Sequence, residues 1–185
     1  PIQAENDDAD KLARDNYYRQ ARDYLKSIIY TPEAVENWLA GKIVYGEQYH
    51  PVLGWIHNDR IIQHGVGQSY SVYHYESNGA RRIIAYRDEP CRINTYGDSF
   101  TSCEQVNDGE TWQEVLANHL GEPVRNYGIG GYSVYQSYRR MLLEEEQTSA
   151  PYIIFNIFDD DHYRNLTGWR NIRLGLTVQT RPDVS

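Results

Sequence analysis

The sequence predicts a mixed α/β fold built on a parallel sheet, preceded by an N-terminal extension. From residue 91 onward, short strand-like segments alternate with segments of helical periodicity, which is the pattern of βαβ units. Before residue 91, helical segments lead into a stretch rich in glycine and proline. At 185 residues the chain is long enough to bury a core without disulfide bonds. We therefore predict an extension over residues 1–90 and an α/β domain over residues 91–185.

The extension begins with two predicted helices. Residues 4–30 place apolar side chains close to every fourth position, which is the spacing of an amphipathic helix. A second helix is predicted after Thr31, because Pro32 then occupies its first position and Gly41 follows its end. Glycines and prolines interrupt residues 42–69, so loops with short strands are expected there.

A β-hairpin is predicted to complete the extension. Residues 70–75 and 82–86 have alternating or apolar patterns and flank Ser77-Asn78-Gly79. The Asn-Gly pair suits the positive φ angles of a tight turn. The two flanking segments are therefore expected to pair with each other.

The α/β domain is predicted to contain three strands and two helices. They are a strand at 92–96, a helix at 110–120, a strand at 124–127, a helix at 132–146 and a strand at 152–158. The last strand is largely apolar and is expected to be buried. In parallel sheets of this kind, ligands bind beyond the carboxyl ends of the strands. The candidate site is therefore formed by the three strand exits, at residues 97–101, 128–131 and 159–163.

The first two strand exits carry a serine and a set of glycines. Ser99 follows Gly97, where a sharp turn would project the hydroxyl into the site and aim the Ser99 N–H at a developing oxyanion. The residue type alone would also fit Ser99 as the N-cap of a helix. Glycines at 128, 130 and 131 permit close approach of the backbone and leave N–H donors at a helix start. The first exit thus supplies a candidate nucleophile and the second supplies donors.

Several blocks of the chain occur in a characteristic order. Gly97-Asp98-Ser99-Phe100-Thr101 is followed by Glu110-Thr111-Trp112 on a predicted helix and by Asn126-Tyr127-Gly128-Ile129-Gly130-Gly131 after a second strand. With these blocks, residues 92–162 resemble the SGNH, or GDSL-type, hydrolases. The order and structural context make the match more specific than the bare Gly-Asp-Ser tripeptide. Leu53-Gly54-Trp55 and Ser77-Asn78-Gly79 resemble the lead-in of one branch of this family.

The resemblance implies a flavodoxin-like, three-layer α/β/α sandwich with a serine-dependent site. Ser99 would be the nucleophile, and the backbone N–H groups of Ser99 and Gly128 would lie in the oxyanion hole. Asp98, Asn126 and Tyr127 would line the site, with Asp98 ordering the turn. No metal and no organic cofactor is implied.

The third and fourth blocks of the family differ from this sequence. The third block carries an asparagine amide that completes the oxyanion hole, and counting places Asp161 there, or Asp160 with one gap. A carboxyl kept protonated by its neighbours would still donate a hydrogen bond. The family's base is a histidine in a later Asp-x-x-His element, a spacing that Asp159 and His162 reproduce at the third strand exit. Either His162 is the base, or the natural chain continues beyond Ser185 and the sheet is incomplete at its C-terminal end.

The composition argues against several classes of partner. The 26 Asp+Glu outnumber the 18 Lys+Arg, and the formal net charge of −8 does not suit binding to nucleic acid. No apolar run approaches the roughly 18 residues that a membrane span needs. The two cysteines, Cys91 and Cys103, form neither a disulfide scaffold nor a zinc motif. Localisation and oligomeric state stay open, with an extracytoplasmic location slightly favoured.

The leading hypothesis is a serine-dependent hydrolase or O-acyl esterase acting on small esters, in particular the O-acetyl groups of carbohydrates. A first alternative is a binding module of the same fold that has lost hydrolysis and binds a glycan or a protein partner. A second treats residues 128–131 as a phosphate cradle, although no lysine follows as in a P-loop. The chain has 17 tyrosines, and those at positions 96, 127, 132 and 135 would offer ring faces to a sugar.

Overall fold

The computed structural model describes residues 11–12, 14–19, 32–42, 46–63 and 66–165. The first two of these segments are helical, while the rest of the predicted N-terminal helix and the predicted cap Thr31 lie outside the described residues. The second predicted helix is confirmed as α1, Pro32–Leu39, and Gly41 follows it with a φ of 78°. Within the described segments, no helix combines the length and the apolar character that crossing a membrane requires.

Two antiparallel hairpins follow α1. Strand β1 (Glu47–His50) pairs with β2 (Gly54–His57), and β3 (Arg60–Gln63) pairs with β4 (Tyr70–Tyr73). These elements confirm the short strands predicted within residues 42–69. The extension is thus stabilised by local antiparallel pairs that are separate from the parallel sheet.

The predicted pairing of residues 70–75 with residues 82–86 forms only next to the turn, where the Arg82 N–H donates to the His74 carbonyl at 2.9 Å, and does not extend further. β4 pairs with β3 instead, and one isolated bridge closes the Asn-Gly turn. The N–H groups of Ile84 and Ala85 donate to the Glu114 carboxylate, at 2.9 and 2.8 Å. Because a side chain satisfies these backbone donors, the segment needs no strand partner.

The parallel sheet has three strands in the described part of the chain. β5 (Ile93–Tyr96) is central, with β6 (Val124–Asn126) on one side and β7 (Tyr152–Phe155) on the other. Helix α3 (Trp112–Leu120) connects β5 to β6, and α4 (Val134–Thr148) connects β6 to β7. The predicted alternation of strands and helices is confirmed, and the architecture is mixed α/β.

The helix ends follow the signals in the sequence. Gly121 closes α3 in the left-handed conformation, at φ 71°, and its N–H donates to the Ala117 carbonyl. Ser133 caps α4 by accepting from the Gln136 N–H, and the Gln136 side chain accepts from the Ser133 N–H. Helix α3 therefore ends at a defined residue before β6, and α4 begins at a defined residue after it. These two helix ends delimit the segment that contains β6 and the second strand exit.

The expectation that the third strand is buried is wrong. It ends at Phe155, and Tyr152, Ile153 and Ile154 are exposed. β7 is an edge strand of the described sheet, so no described strand pairs with its outer side. An apolar run alone does not distinguish an edge strand from a central one.

Among the described residues, two hydrophobic clusters form the core. The first contains Trp38, Leu53, Trp55, Ile56, Ile129 and Tyr132. It joins α1 and β2 to the loop after β6, and the rings of Trp55 and Tyr132 meet edge to face with centroids 5.2 Å apart. The second contains Ala80, Tyr96 and Tyr127. The extension thus packs directly against the strand exits of the parallel sheet.

Candidate functional site

The three strand exits meet at one end of the parallel sheet. The Ile129 N–H after β6 donates to the Gly97 carbonyl at 3.1 Å. The Asn156 N–H after β7 donates to the Tyr96 carbonyl at 2.8 Å. Each outer strand is thereby tied to the loop that follows the central strand, as parallel topology predicts.

Ser99 begins the short helix α2 (Ser99–Ser102), and Asp98 holds it there. The Asp98 side chain is fully buried, and its Oδ1 accepts from the Phe100 N–H at 2.9 Å, as an N-cap does. The N-cap is therefore Asp98 and not Ser99. Ser99 is half-buried, and its hydroxyl has no hydrogen-bond partner among the residues that the structure describes.

The second strand exit packs a glycine directly against α2. A Cβ added to Gly128 would lie 2.2 Å from the Ser102 backbone nitrogen, so only glycine allows this approach. The Gly128 N–H donates to the Asn126 side-chain oxygen at 3.0 Å. Because this donor is already engaged, it has only a shared hydrogen bond to offer an oxyanion. With the Ile129 N–H engaged as well, the loop is poorly suited to cradle a phosphate.

The third strand exit leads into α5 (Asp159–Arg164), where Asp161 is held inside the protein. Asp161 is only 1% exposed. Its Oδ1 accepts from the Arg164 guanidinium at 2.6 Å, and its Oδ2 accepts from the Phe158 N–H at 3.0 Å. Asp160 is less buried and lies 3.5 Å from the same guanidinium. Both oxygens of Asp161 are thus used to build the start of α5.

Arg164 connects all three strand exits, a role that no sequence motif predicted. Besides Asp161, its Nη1 contacts Asp98 Oδ2 at 3.0 Å and donates to the Tyr132 carbonyl at 3.1 Å. One guanidinium therefore faces two buried carboxyl groups, which lie within hydrogen-bonding reach of each other. Arginine is rarely buried without such partners.

Burial raises the pKa of Asp161 above its ordinary value. The negative charge of Asp98 raises this pKa further, whereas the Phe158 N–H and the Arg164 guanidinium oppose the shift. The Asp161 carboxyl group therefore binds its proton more tightly in the folded protein than in the unfolded chain.

We expect Asp161→Asn to flatten the acidic part of the stability profile. Since the folded protein binds this proton more tightly than the unfolded chain does, wild-type stability falls as the pH rises from the ordinary aspartate pKa through the raised one. The asparagine variant lacks this fall, while its amide oxygen still accepts from the Phe158 N–H. Urea unfolding between pH 3.5 and 7 measures the difference, with the exposed Asp159→Asn as the matched control. Parallel profiles for wild type and Asp161→Asn would contradict the prediction.

A cleft with a volume of about 600 Å³ opens beside Ser99. Its lining residues are Ser99, Phe100, Cys103, Glu104, Gln105, Val106, Glu110, Trp112 and Val115. The size is typical of small-molecule sites. The lining residues beyond position 101 were not predicted to form a site, although Glu110 and Trp112 belong to a block that the motif resemblance includes.

Cys103 lines the same cleft as Ser99 but is not activated. Burial raises the pKa of the Cys103 thiol, although the Trp112 N–H and the Arg81 charge oppose the shift. A thiol held in its protonated form is a poor nucleophile. Among the nucleophilic side chains that line the cleft, Ser99 therefore stands as the candidate.

Arg81 holds the loop that forms one wall of the cleft. Its side chain is 1% exposed, and its guanidinium donates to the carbonyls of Ser102, Cys103 and Val106 at 2.8, 2.7 and 2.5 Å. Its Nε pairs with Asp108 at 3.0 Å. The conformation of residues 102–108 is therefore set from inside the protein by one buried cation.

The three residues expected to line the site, Asp98, Asn126 and Tyr127, are buried and do not line the cleft. Asn126 is 4% exposed, and Tyr127 is 1% exposed and stacked on Tyr96 with ring centroids 5.1 Å apart. Tyr132 is also buried, and of the four tyrosines near the exits only Tyr135 is exposed. The expectation that these tyrosines offer ring faces to a sugar is therefore wrong for three of them.

None of the described histidines lines the cleft. His162 is exposed on α5 and makes no hydrogen bond with any described residue. His57 is buried and lies 3.7 Å from Glu47. His74 Nδ1 lies 2.6 Å from Asp108 Oδ2. No described histidine thus lines the cleft beside the candidate nucleophile Ser99.

Comparison with protein-family models gives no match to this chain, and comparison with curated proteins gives no significant match. The functional assignment below therefore depends on the geometry of the strand exits and on the motif resemblance alone.

Proposed function

We propose that this protein is a serine-dependent ester hydrolase of the SGNH type, acting on small esters such as the O-acetyl groups of carbohydrates. One observation carries the proposal. Ser99 lies at the turn from the central strand into α2, on the wall of a cleft of small-molecule size, and a buried aspartate fixes its position. This is where parallel α/β folds place reactive groups.

The strand order supports the finer fold assignment. Numbered along the chain, the strands β5, β6 and β7 lie in the order second, first, third. A flavodoxin-like sheet begins with the same order. We therefore assign the α/β part to a flavodoxin-like, three-layer sandwich as part of the proposal.

In the proposed reaction, the Ser99 hydroxyl oxygen attacks the ester carbonyl and forms an acyl-enzyme as the alcohol leaves. The Ser99 N–H donates to the oxyanion, and the Gly128 N–H contributes through a bond shared with Asn126. The hydroxyl proton passes through a base to the departing alcohol, and water then releases the acid. His162 is the base suggested by spacing, but its exposed position on α5 does not support this role.

A fluorophosphonate probe tests the nucleophile. We expect a single adduct on the wild-type protein, found on Ser99 by peptide mass spectrometry, and no adduct on Ser99→Ala. Ser77→Ala, at an exposed turn, is the matched control and should label like the wild type. An unlabelled wild type, or equal labelling of Ser99→Ala, would overturn the assignment.

A binding module of the same fold is the second candidate, and one observation favours it. The Gly128 N–H is engaged, and both Asp161 oxygens are consumed within the protein, so two of the three expected oxyanion donors are not free. Losing one such donor costs a factor of about 10²–10³ in rate. Saturable binding of an acetylated oligosaccharide without turnover or labelling would support this candidate.

A further inference from the structure

The charged residues that line the cleft beside Ser99 are all acidic. Two carboxylates line it, Glu104 and Glu110, whereas none of the described lining residues is a lysine or an arginine. The Glu104 carboxylate is partly neutralised, because Arg60 lies 3.6 Å away behind it. Glu110 is exposed, and no cation is recorded within salt-bridge distance of it among the described residues.

The Glu110 side chain is held in place by local hydrogen bonds. Its Oε2 accepts from the Asn107 N–H and from the Asn107 side-chain amide, both at 2.8 Å. Its other oxygen accepts no hydrogen bond from the described residues. A carboxylate fixed through one oxygen thus leaves the second oxygen available to a ligand in the cleft.

Aromatic side chains complete the wall. Phe100 is 61% exposed, and Trp112 lies beside it, with the indole N–H donating to the Phe100 carbonyl at 3.4 Å. Indole and phenyl faces attract cations, and tryptophan does so most strongly. Carboxylates and aromatic faces together suit a positively charged, partly apolar group.

We infer that the cleft selects esters that carry a positive charge, so that Ser99 acts on the O-acyl group of an ammonium-bearing alcohol. This inference rests on the proposed ester hydrolysis. Among O-acetylated carbohydrates, the cleft should favour those that carry a free amine over those that carry a carboxylate.

Two acetate esters of the same shape test the inference. Acetylcholine carries a quaternary ammonium, and 3,3-dimethylbutyl acetate has a carbon atom in place of the charged nitrogen. We expect kcat/KM to be about tenfold higher for the charged ester, since partly exposed carboxylates each contribute a few-fold. The preference should shrink as salt rises from 0.02 to 0.5 M.

Glu110→Gln should reduce the preference about threefold, because it removes the charge and keeps a side-chain oxygen for the Asn107 donors. The exposed Glu146→Gln removes the same charge from α4 and should leave the preference unchanged. Equal kcat/KM for the two esters, or equal effects of the two substitutions, would overturn the inference and leave ester hydrolysis intact.

Failure of the proposed function would look different. If neither ester is hydrolysed and Ser99 is not labelled, calorimetry with choline and 3,3-dimethylbutanol still measures the charge preference of the cleft. Choline binding that weakens in Glu110→Gln would support the inference for a binding module. No choline binding, or equal binding of the two alcohols, would overturn it.

Discussion

Arg81→Met is expected to lower the free energy of unfolding by about 3–5 kcal/mol, because removing one partner of a buried ion pair leaves the Asp108 carboxylate with only its contacts to His74. Asp108 is buried and would lose its contact with the Arg81 Nε. The carbonyls of Ser102, Cys103 and Val106 would lose their donors at the same time. Methionine preserves much of the side-chain volume, so the effect reports mainly on charge and hydrogen bonding.

Urea unfolding at pH 7 measures this effect. Arg87→Met, at an arginine side chain that is 61% exposed, is the matched control and should change stability by less than about 0.5 kcal/mol. The double variant Arg81→Met with Asp108→Asn should be less destabilised than the sum of the single variants, since it removes the stranded charge. A loss below about 1 kcal/mol for Arg81→Met would show that Arg81 does not hold this loop.

We also expect Arg81→Met to slow the labelling of Ser99. Arg81 fixes the carbonyls of Ser102, Cys103 and Val106, and residues 103–106 line the cleft. The variant should therefore react more slowly with the fluorophosphonate even at temperatures where it stays folded. Labelling of the folded variant separates the effect of Arg81 on the shape of the cleft from its effect on global stability.

Local sequence signals predicted the parallel sheet well. The three strands, both crossover helices and the closing Gly121 depend on short-range periodicity and on turn chemistry. Because parallel strands connected by crossovers place their carboxyl ends together, the convergence of the three strand exits followed from the same pattern. Ser99 lies on the cleft for that reason.

Long-range pairing was not predictable from the same signals. Residues 70–75 and 82–86 have the pattern of hairpin strands, but the carboxylate of Glu114, about thirty residues later, takes the donors of Ile84 and Ala85. The exposed β7 was likewise indistinguishable from a buried strand, because its apolar run says nothing about its neighbours.

Two arginines that hold loops at the candidate site, one buried and one mostly buried, were not predicted from the sequence. From the sequence, Arg81 and Arg164 would be expected on the surface, since arginine is usually exposed. Arg81 pairs with Asp108, 27 positions away. Arg164 contacts not only its neighbours Asp160 and Asp161 but also Asp98, 66 positions away. Only the folded arrangement shows that each cation holds a loop at the candidate site.

Gly128→Ala is expected to cost about 3 kcal/mol of stability, because overpacking a rigid contact forces backbone shifts. The added Cβ would lie 2.2 Å from the Ser102 nitrogen and 2.5 Å from the Thr101 carbonyl carbon. Both are backbone atoms of α2, so no rotamer change relieves the clash. The loop and α2 must therefore move apart, and Ser99 moves with α2.

Two measurements separate the local effect from general destabilisation. Gly109→Ala is the matched control, because nothing lies within 4 Å of its added Cβ, and it should unfold and label like the wild type. Gly128→Ala should react at least about tenfold more slowly with the fluorophosphonate while still folded, since small displacements of a nucleophile are costly. If Gly128→Ala keeps both its stability and its labelling rate, the close packing of the glycine loop against α2 does not position Ser99. If it loses stability but labels normally, the packing is structural and the nucleophile is placed by the Asp98 cap alone.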